Sequence, residues 1–354
     1  MAKKQNYRDY HEQTDINQTL RLREVTSLLP GFCREFFLGI KDTTSTRTRL
    51  AYAYDLKIFF EYLHKANPYC SKKEITEYSI EILEMLKPID ITEYLDYLTV
   101  YINNDGETIT NDDRGKQRKL SAVRSMYNYF FRTEVIEKNP AALVPMPKIH
   151  KKEIIRLDID EVARLLDNVE SGENLSKKQL EFYEKTKIRD LALMTLLLGT
   201  GIRVSECVGL DINDVDFNNG GILIKRKGGY EQIVYFGEEV ETTLREYIKE
   251  RKRTIPAKGH EQALFLSLQN RRLSVRSVEN IVKKYAGTVT TIKKITPHKL
   301  RSTYGTNLYN ETGDIYLVAD VLGHKDVNTT KKHYAAQDQE RLRMVANAVK
   351  LREI

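Results

Sequence analysis

The first half of the chain contains two stretches whose apolar residues recur three or four positions apart, which is the spacing of one helix face. One begins after a candidate cap, Ser45 or Thr46, and the other begins near Arg114. The apolar positions are Leu56, Phe59, Phe60 and Leu63 in the first stretch, and Leu120, Val123, Tyr127 and Phe130 in the second. Both stretches are predicted to be amphipathic helices with one buried face. Residues 1–24 lack a strong period and are predicted to be a tail or short helix.

The pattern changes several times in the second half. A helix capped by Asp158 or Asp160 is predicted first, followed by a helix buried on most sides, a Gly-Thr-Gly break and a second short helix. Residues 220–236 then alternate around Gly228-Gly229, which predicts a β-hairpin with a tight primed turn. The remainder is predicted to be mostly helical. The expected fold class is therefore mainly α with a small β-hairpin or sheet.

Three prolines and several basic residues lie between Asn139 and Lys152. Proline interrupts helices and favours extended backbone before it, so this stretch is predicted to be an extended linker between two domains. We place a helical domain at residues 25–147, the linker at 148–152 and a second domain at 153–354.

Composition limits the class of protein. The 354 residues are 41% apolar and 30% charged, as in soluble globular proteins. The longest apolar stretch, 191–198, is far shorter than the roughly 20 residues of a membrane-spanning helix, and the N-terminus lacks an apolar signal core. The three cysteines are separated and outside any CxxC pair, which indicates neither a disulfide framework nor a zinc site. We expect a cytoplasmic protein.

Charge indicates a candidate partner. The chain has 57 Lys and Arg against 50 Asp and Glu, a formal net charge of +7, which permits a polyanionic partner without requiring one. Basic residues are concentrated between Arg114 and Lys152, where a phosphate-facing surface and an ordinary solvated face are both open interpretations. The candidate side chains for contact with a nucleic acid are Arg47, Lys116, Arg118, Lys119 and Arg124.

Several residues of the second half can bind an oxyanion. His298 and Arg301 are three residues apart, which places them on one face of a helix. Arg203 follows the Gly-Thr-Gly break, where glycine lets the backbone turn sharply and present a guanidinium in a cleft. Plainer interpretations are a surface hydrogen-bonding pair for His298 and Arg301, and an ion pair with Glu206 for Arg203.

These residues belong to an ordered set of motifs: TGIRVSECVGL, a Gly-Gly hairpin with Lys227, HKLRSTYGTNL, LGHKDVNTT and a tyrosine shortly after. The set resembles the tyrosine recombinase, or integrase, family, of the bacterial Xer type. The resemblance covers about residues 25–354. It implies a helical core-binding domain at 25–147, of the SAM-like kind, and a tyrosine-recombinase catalytic domain with a C-terminal exchange helix at 153–354, together forming a DNA clamp.

The resemblance implies a role for each matching residue. The expected catalytic residues are Arg203, Lys227, His298, Arg301, His324 and Tyr334. Tyr334 is the expected nucleophile, the two arginines are expected to bind the phosphate, and Lys227 is the expected general acid. Glu206 is expected to support Arg203. The family often has TTxxY, which would place the tyrosine at His333; this chain has TTKKHY, and Tyr334 is its last tyrosine.

These residue types are consistent with metal-independent and ATP-independent cutting of DNA. A phenol can form a phosphotyrosyl bond that keeps the phosphoester energy for rejoining. Arginine and imidazole donors can stabilise the charge that develops on the non-bridging oxygens. The sequence has no HExxH motif and no evident carboxylate cluster for two magnesium ions, which disfavours hydrolytic nuclease chemistry. We predict no cofactor.

The resemblance implies site-specific recombination through a 3′-phosphotyrosyl intermediate on double-stranded DNA. The expected assembly is a homo-tetramer joined through the C-terminal helix, or a hetero-tetramer with a related recombinase, in the cytoplasm at the nucleoid and without a membrane partner. Chromosome-dimer resolution and mobile-element integration or excision are both open roles. Two alternatives also stay open: a type IB topoisomerase-like DNA-relaxing enzyme and a catalytically silent DNA-binding regulator.

Overall fold

A computed structural model describes residues 9–149, 155–226 and 229–323. The chain divides into two compact units, residues 1–152 and 153–354. Helices dominate both units, and the described strands form two small antiparallel sheets. The predicted mainly helical class with a small sheet is therefore confirmed. No helix among the described residues is long and apolar enough to cross a bilayer.

The first unit is built from helices and one short hairpin. Its helices are α1 (Tyr10–Thr26), α2 (Cys33–Gly39), α3 (Thr46–Ala66), α4 (Glu81–Met85), α5 (Pro88–Tyr97), α6 (Asp113–Arg132) and α7 (Pro140–Leu143), with short 3-10 turns at Cys70–Lys72 and Ile75–Glu77. Strands β1 (Val100–Ile102) and β2 (Thr108–Thr110) pair antiparallel, with Tyr101 opposite Ile109.

The two amphipathic helices predicted in this unit are confirmed as α3 and α6. Ser45 caps α3, where its hydroxyl accepts a hydrogen bond from the backbone N–H of Thr48. All eight predicted apolar positions are buried in one core: Leu56, Phe59, Phe60, Leu63, Leu120, Val123, Tyr127 and Phe130. The N-terminal segment forms the 17-residue helix α1, whose Leu22 and Val25 are buried in the same core.

The proline-containing stretch after α6 begins as part of the first unit. The side chain of Asn139 caps α7 by accepting from the backbone N–H of Ala142 at 3.1 Å. Pro140 fits the first helical position because a backbone N–H there has no partner within the helix. Ala141 and Val144 are buried in the core. The extended conformation predicted from Asn139 onward was thus wrong for residues 140–143, which form α7. Residues 150–154 lie outside the described residues.

The second unit combines further helices with a three-stranded sheet. Its helices are α8 (Ile159–Ser171), α9 (Lys177–Tyr183), α10 (Lys187–Thr200), α11 (Val204–Gly209), α12 (Glu238–Arg251), α13 (Val275–Ala286), α14 (Pro297–Thr312) and α15 (Ile315–Leu322), with a 3-10 turn at Ile212–Asp214. The strands are β3 (Val215–Asp216), β4 (Gly221–Lys225) and β5 (Glu231–Tyr235), antiparallel in the order β3-β4-β5. Asp158 caps α8, and α10 is buried over most of its length, both as predicted.

The predicted hairpin is confirmed as β4 and β5, whereas residues 227 and 228 of its predicted tight turn lie outside the described residues. Lys225 pairs with Glu231, and the backbone N–H of Arg226 donates to the carbonyl of Tyr230 at 2.7 Å. Three residues of the sequence lie between Arg226 and Tyr230. Gly229 has a φ of +79°, which glycine adopts without steric cost.

A buried carboxylate lies between α3 and α6 in the first unit. Asp55 of α3 is 1% exposed and accepts a hydrogen bond from the guanidinium of Arg118 on α6. Its other carboxylate oxygen has no hydrogen-bond partner in the described part of the chain. Burial raises the pKa of Asp55 to about 6, and the positive charges of Arg118 and Lys119 only partly oppose that shift.

We expect Asp55→Asn to remove one pH-dependent contribution to stability. With a raised pKa, the folded chain keeps a proton that the unfolded chain releases above its ordinary pKa of 3.8, so Asp55 weakens folding as pH rises from about 4 to about 6. Urea unfolding of both proteins at about pH 4 and about pH 6.5 measures this effect. The unfolding free energy of wild type minus that of the variant should be smaller at the higher pH. A difference that stays constant would contradict the raised pKa.

Candidate functional site

The candidate site of the second unit is organised around the C-terminal end of α15. Guanidinium groups of Arg203, Arg226 and Arg301 all donate hydrogen bonds to backbone carbonyls of this end. The last carbonyls of a helix have no partner within the helix and form the negative end of its dipole. They therefore attract cations, and here they bring three together from different parts of the sequence.

Arg203 is positioned by the break between α10 and α11. Gly201 ends α10 in the left-handed region, with φ of +61°, and Arg203 then occupies the N-cap position of α11. Glu206, which is 4% exposed, accepts from the backbone N–H of Arg203 at 2.7 Å and from its Nη1 at 2.8 Å. The ion pair predicted from sequence is therefore present. The Arg203 side chain is 39% exposed, so an anion can reach its guanidinium.

Arg301 lies deeper in the unit than Arg203 does. It is 4% exposed, and its Nη1 donates to the carbonyl of Gly201 at 2.6 Å, while its Nη2 donates to the carbonyl of Leu322. Through these two bonds, one side chain links the break after α10 to the end of α15. Burial of a guanidinium costs free energy unless its N–H groups have hydrogen-bond partners. The two carbonyls therefore help to hold Arg301 in its buried position.

His298 shares α14 with Arg301, as the spacing predicted. Helix α14 begins at Pro297 after Thr296, whose side chain caps it by accepting from the backbone N–H of Lys299. His298 lies in the first turn and is exposed, whereas Arg301 one turn later is buried. The two side chains therefore occupy different environments, and only His298 faces solvent.

The third arginine, Arg226, was not found by sequence reasoning. It directly follows β4 and is 9% exposed. Its Nη1 donates to the carbonyl of Leu322 at 2.6 Å, and its Nη2 donates to the carbonyl of Val321 at 2.9 Å. In the sequence it is the middle residue of a Lys-Arg-Lys run, where nothing local distinguishes a buried cation from an exposed one.

Three of the expected catalytic residues, Lys227, His324 and Tyr334, lie outside the described residues. Arg226 and Gly323, which immediately precede Lys227 and His324 in the sequence, are both described. Lys225, the other lysine of this hairpin, has its Nζ 3.8 Å from a carboxylate oxygen of Glu231 on the paired strand.

The five candidate DNA-contacting residues of the first unit differ in how they are held. Arg47 is exposed in the first turn of α3, and its side chain makes no hydrogen bond or ion pair within the described part of the chain. Lys116 donates to the hydroxyl of Thr99 at 2.7 Å. Arg118 is half exposed while it binds buried Asp55. These three present positive charge at the surface.

The other two candidates are tied to their own unit. Lys119 is buried, and its ammonium donates to the side-chain oxygen of Asn111 at 2.6 Å. Arg124 donates to the carbonyl of Ala141 at 3.0 Å and to that of Val144, which fixes the chain after α7 against α6. These contacts favour a structural role for both side chains.

Metal ligands and thiols add no further candidate site. Within the ranges that the structure describes, no group of three or more His, Cys, Asp or Glu side chains is arranged to hold a metal ion. Cys33, Cys70 and Cys207 are free thiols, and all three are buried. Burial raises the pKa of each thiol, which keeps them protonated and unreactive.

Comparisons with known proteins agree on one family. The phage integrase family matches residues 156–341. The tyrosine recombinase XerC of Leptospira interrogans is 31% identical over 309 residues, which cover 87% of this chain and 89% of the relative. The tyrosine recombinase XerD of Staphylococcus epidermidis is 29% identical, over 83% and 90% of the two chains.

Solved structures agree with this fold. The XerH site-specific recombinase, bound to a palindromic difH substrate, has a TM-score of 0.62 at 21% identity and covers 97% of each chain. A lambda integrase dimer bound to a COC′ core site has a TM-score of 0.60 at 16% identity, over 87% of this chain and 95% of that one. At these identities the likeness concerns the fold alone.

We expect Gly201→Ala to destabilise the protein by more than its left-handed backbone alone requires. A Cβ there would lie 2.4 Å from Cδ1 of Tyr304 and 3.0 Å from Cδ2 of Leu322. Gly259→Ala is the matched control, because Gly259 has φ of +84° with nothing within 4 Å of its Cβ position. The control should cost about 1–2 kcal/mol, and Gly201→Ala clearly more, in urea unfolding. Equal losses would show that the close packing at Gly201 is unimportant.

Proposed function

We propose that the chain, which belongs to the phage integrase family and is a site-specific tyrosine recombinase, attacks DNA with the phenol of Tyr334. The enzyme class cleaves and rejoins DNA strands. The observation that most directly supports a site in this region is the convergence of Arg203 and Arg301 on Leu322 and Gly323, immediately before His324. The two expected phosphate-binding arginines thereby share one backbone segment, and His324 is the next residue in the sequence.

The proposed reaction exchanges one phosphoester bond for another. The oxygen of Tyr334 forms a bond to the phosphorus while the bond from phosphorus to the 5′ oxygen breaks, leaving a 3′-phosphotyrosyl link and a free 5′ hydroxyl. Attack by a 5′ hydroxyl of the partner DNA reverses these bonds and releases the tyrosine. Phosphoester energy is conserved, so no nucleotide hydrolysis is needed.

Charge stabilisation is assigned to the two arginines and His324. Negative charge grows on the non-bridging oxygens during attack, and fixed donors directed at it are typically worth about 3 kcal/mol each. The exposed fraction of Arg203 suits it to direct contact with the phosphate, and Glu206 keeps its guanidinium in one orientation. Arg301, buried beneath, contributes a permanent positive charge and fixes the surrounding backbone.

Proton transfer is assigned to His298 and Lys227. A tyrosine phenol has an ordinary pKa near 10, so its attack at neutral pH is helped by a base, and the exposed His298 on α14 is the proposed acceptor. Lys227 is the proposed donor to the 5′ oxygen, because an ammonium can release a proton and a guanidinium does not.

DNA binding is assigned to both units. We propose that the first unit is the core-binding domain, the second is the catalytic domain, and residues around the boundary at 148–152 link them around a duplex. Similar recombinases are described as bound to their recombination sites, which supports a specific DNA site as the partner. The proposed contacts to the DNA backbone are the exposed Arg47 and Arg118 and the partly exposed Lys116. Such contacts position a protein on DNA without reading its sequence.

The proposal also covers the assembly of the protein and its biological role. We propose a tetramer on two DNA sites, joined through the C-terminal helix, either of one chain or with a related recombinase, in the cytoplasm at the nucleoid. The relatives are named recombinases, which supports recombination over a topoisomerase-like or a catalytically silent role. Chromosome-dimer resolution and mobile-element integration or excision are both compatible with this activity.

Tyr334→Phe should bind DNA normally and form no covalent adduct. Phenylalanine keeps the ring but lacks the oxygen that becomes bonded to phosphorus. The measurement is a denaturing gel after incubation with nicked suicide DNA that carries the protein's own site, alongside a binding titration. Tyr316→Phe is the control, because Tyr316 is an exposed tyrosine of α15 outside the proposed chemistry. Adduct formation by Tyr334→Phe would assign the nucleophile to another residue.

Arg47→Ala should weaken DNA binding without changing stability. Loss of one phosphate contact should lower the slope of log affinity against log salt concentration by about 1. Arg124→Ala should do the opposite: its bonds to the carbonyls of Ala141 and Val144 disappear, which lowers the unfolding free energy by about 1–3 kcal/mol, while the salt slope is unchanged. Binding titrations over a salt series and urea unfolding measure both. An unchanged slope for Arg47→Ala would contradict its proposed contact.

A further inference from the structure

We propose that Arg226 is a positioning residue for strand cleavage, because it fastens the hairpin of β4 and β5 to the C-terminal end of α15. The inference rests on the proposed function, in which the next residue, Lys227, donates a proton to the leaving 5′ oxygen. Arg226 is not itself assigned contact with DNA. Its role is to hold the end of β4, from which Lys227 follows, beside the backbone that the phosphate-binding arginines share.

Arg226 links the hairpin to α15 through hydrogen bonds, and we call this contact the tie. Its two terminal nitrogens donate to consecutive carbonyls, those of Val321 at 2.9 Å and Leu322 at 2.6 Å. A planar guanidinium can bind two neighbouring acceptors at once and keeps its charge when buried, which an ammonium does less well. A second bond between the same elements, from Nε2 of Gln232 to the carbonyl of Asp320, is long at 3.5 Å. Arg226 therefore makes the shorter contacts between this hairpin and α15.

The segment that Arg226 binds is also bound by the arginines of the proposed phosphate site. Arg301 donates to the same Leu322 oxygen, and Arg203 donates to the carbonyl of Gly323 at 3.4 Å. Glu206 adds a second link, since its Oε1 lies 2.8 Å from Nη1 of Arg203 and 3.9 Å from Nη1 of Arg226. The end of the hairpin is thus held relative to both arginines through shared acceptors.

Gly323 provides the space that this tie needs. A Cβ at this position would lie 2.3 Å from Nη1 and 2.4 Å from Cζ of Arg226, so the guanidinium packs directly against the glycine backbone. Gly323 also has φ of +60°, a conformation that other residues adopt only with strain. Arg226 and Gly323 are therefore complementary parts of one contact.

Loss of the tie is expected to affect one step of cleavage, the protonation of the leaving oxygen. If Arg226 acts by holding the hairpin, its loss should slow protonation of the leaving oxygen and leave phosphate binding largely intact. DNA with sulfur in place of the bridging 5′ oxygen does not require that proton, because a thiol has a pKa of about 8.5 and leaves as a thiolate. The bond from tyrosine oxygen to phosphorus then forms as the bond from phosphorus to sulfur breaks.

The test compares Arg226→Gln and Arg226→Lys with wild type on matched nicked DNA containing either bridging atom. Covalent capture is followed in single-turnover time courses. We expect Arg226→Gln to slow capture of the oxygen DNA on the order of 10-fold to 100-fold, as for a displaced catalytic group, and to approach the wild-type rate on the sulfur DNA. Arg226→Lys should show the same selective defect to a smaller extent, because one ammonium cannot reproduce the two-carbonyl contact.

Arg245→Gln is the matched control, because it removes an exposed α12 arginine that pairs with Glu241 and should not change either rate. Urea unfolding measures the stability of each variant. If Arg226→Gln does not fold, the rates of the charge-preserving Arg226→Lys on the two DNAs test the inference instead. Equal slowing on both DNAs, or no slowing on the oxygen DNA, overturns the inference.

Lys227→Ala on the same two DNAs tests the proposed function separately. Absence of any wild-type adduct, or a Lys227→Ala defect that sulfur does not relieve, contradicts the proposed chemistry itself. Sulfur rescue of Lys227→Ala without rescue of Arg226→Gln overturns only the positioning role.

Discussion

The constraint on which the site depends is the need to satisfy the last carbonyls of α15. A helix leaves these oxygens without internal partners, and here the carbonyls of Val321 and Leu322 accept hydrogen bonds from guanidinium groups. Three like charges in one region repel each other, but the negative helix end and the buried carboxylate of Glu206 oppose that repulsion. A structural requirement of one helix thereby concentrates positive charge at the site that we propose binds the phosphate.

Two glycines make this concentration sterically possible, and packing matters as much as backbone freedom at both. Gly201 turns the chain after α10 against Tyr304 and offers its carbonyl to Arg301, while Gly323 lies under the guanidinium of Arg226. Both have positive φ, and at both an added Cβ would overlap a neighbour. The glycines of the two motifs are therefore explained by the same arrangement of side chains that forms the site.

Sequence periodicity was sufficient for elements whose stability is local or whose apolar face is continuous. Helices α3, α6 and α10 and the hairpin were predictable, and the spacing of Arg203 and Glu206 correctly indicated their ion pair. The burial of other residues depends on contacts with residues that are distant in the sequence. Arg226 is buried because of carbonyls 95 and 96 residues later, and Ala141 is buried despite neighbouring prolines because α6 covers it. A basic residue in a sequence does not reveal which backbone oxygen it will bind, so the bonds of Arg124 to the carbonyls of Ala141 and Val144 could not be predicted.

In the proposed mechanism the adjacent residues Arg226 and Lys227 have different tasks. Holding two carbonyls at the end of α15 requires several donors in a fixed plane and a charge that persists under burial, which arginine provides and lysine does not. Donating a proton to a leaving oxygen requires a cation that can become neutral, which lysine provides and arginine does not. Exchanging the two residues would keep the net charge and composition of the hairpin but remove both properties. The order of these residues, rather than the basic character of the run, is therefore what the proposed mechanism depends on.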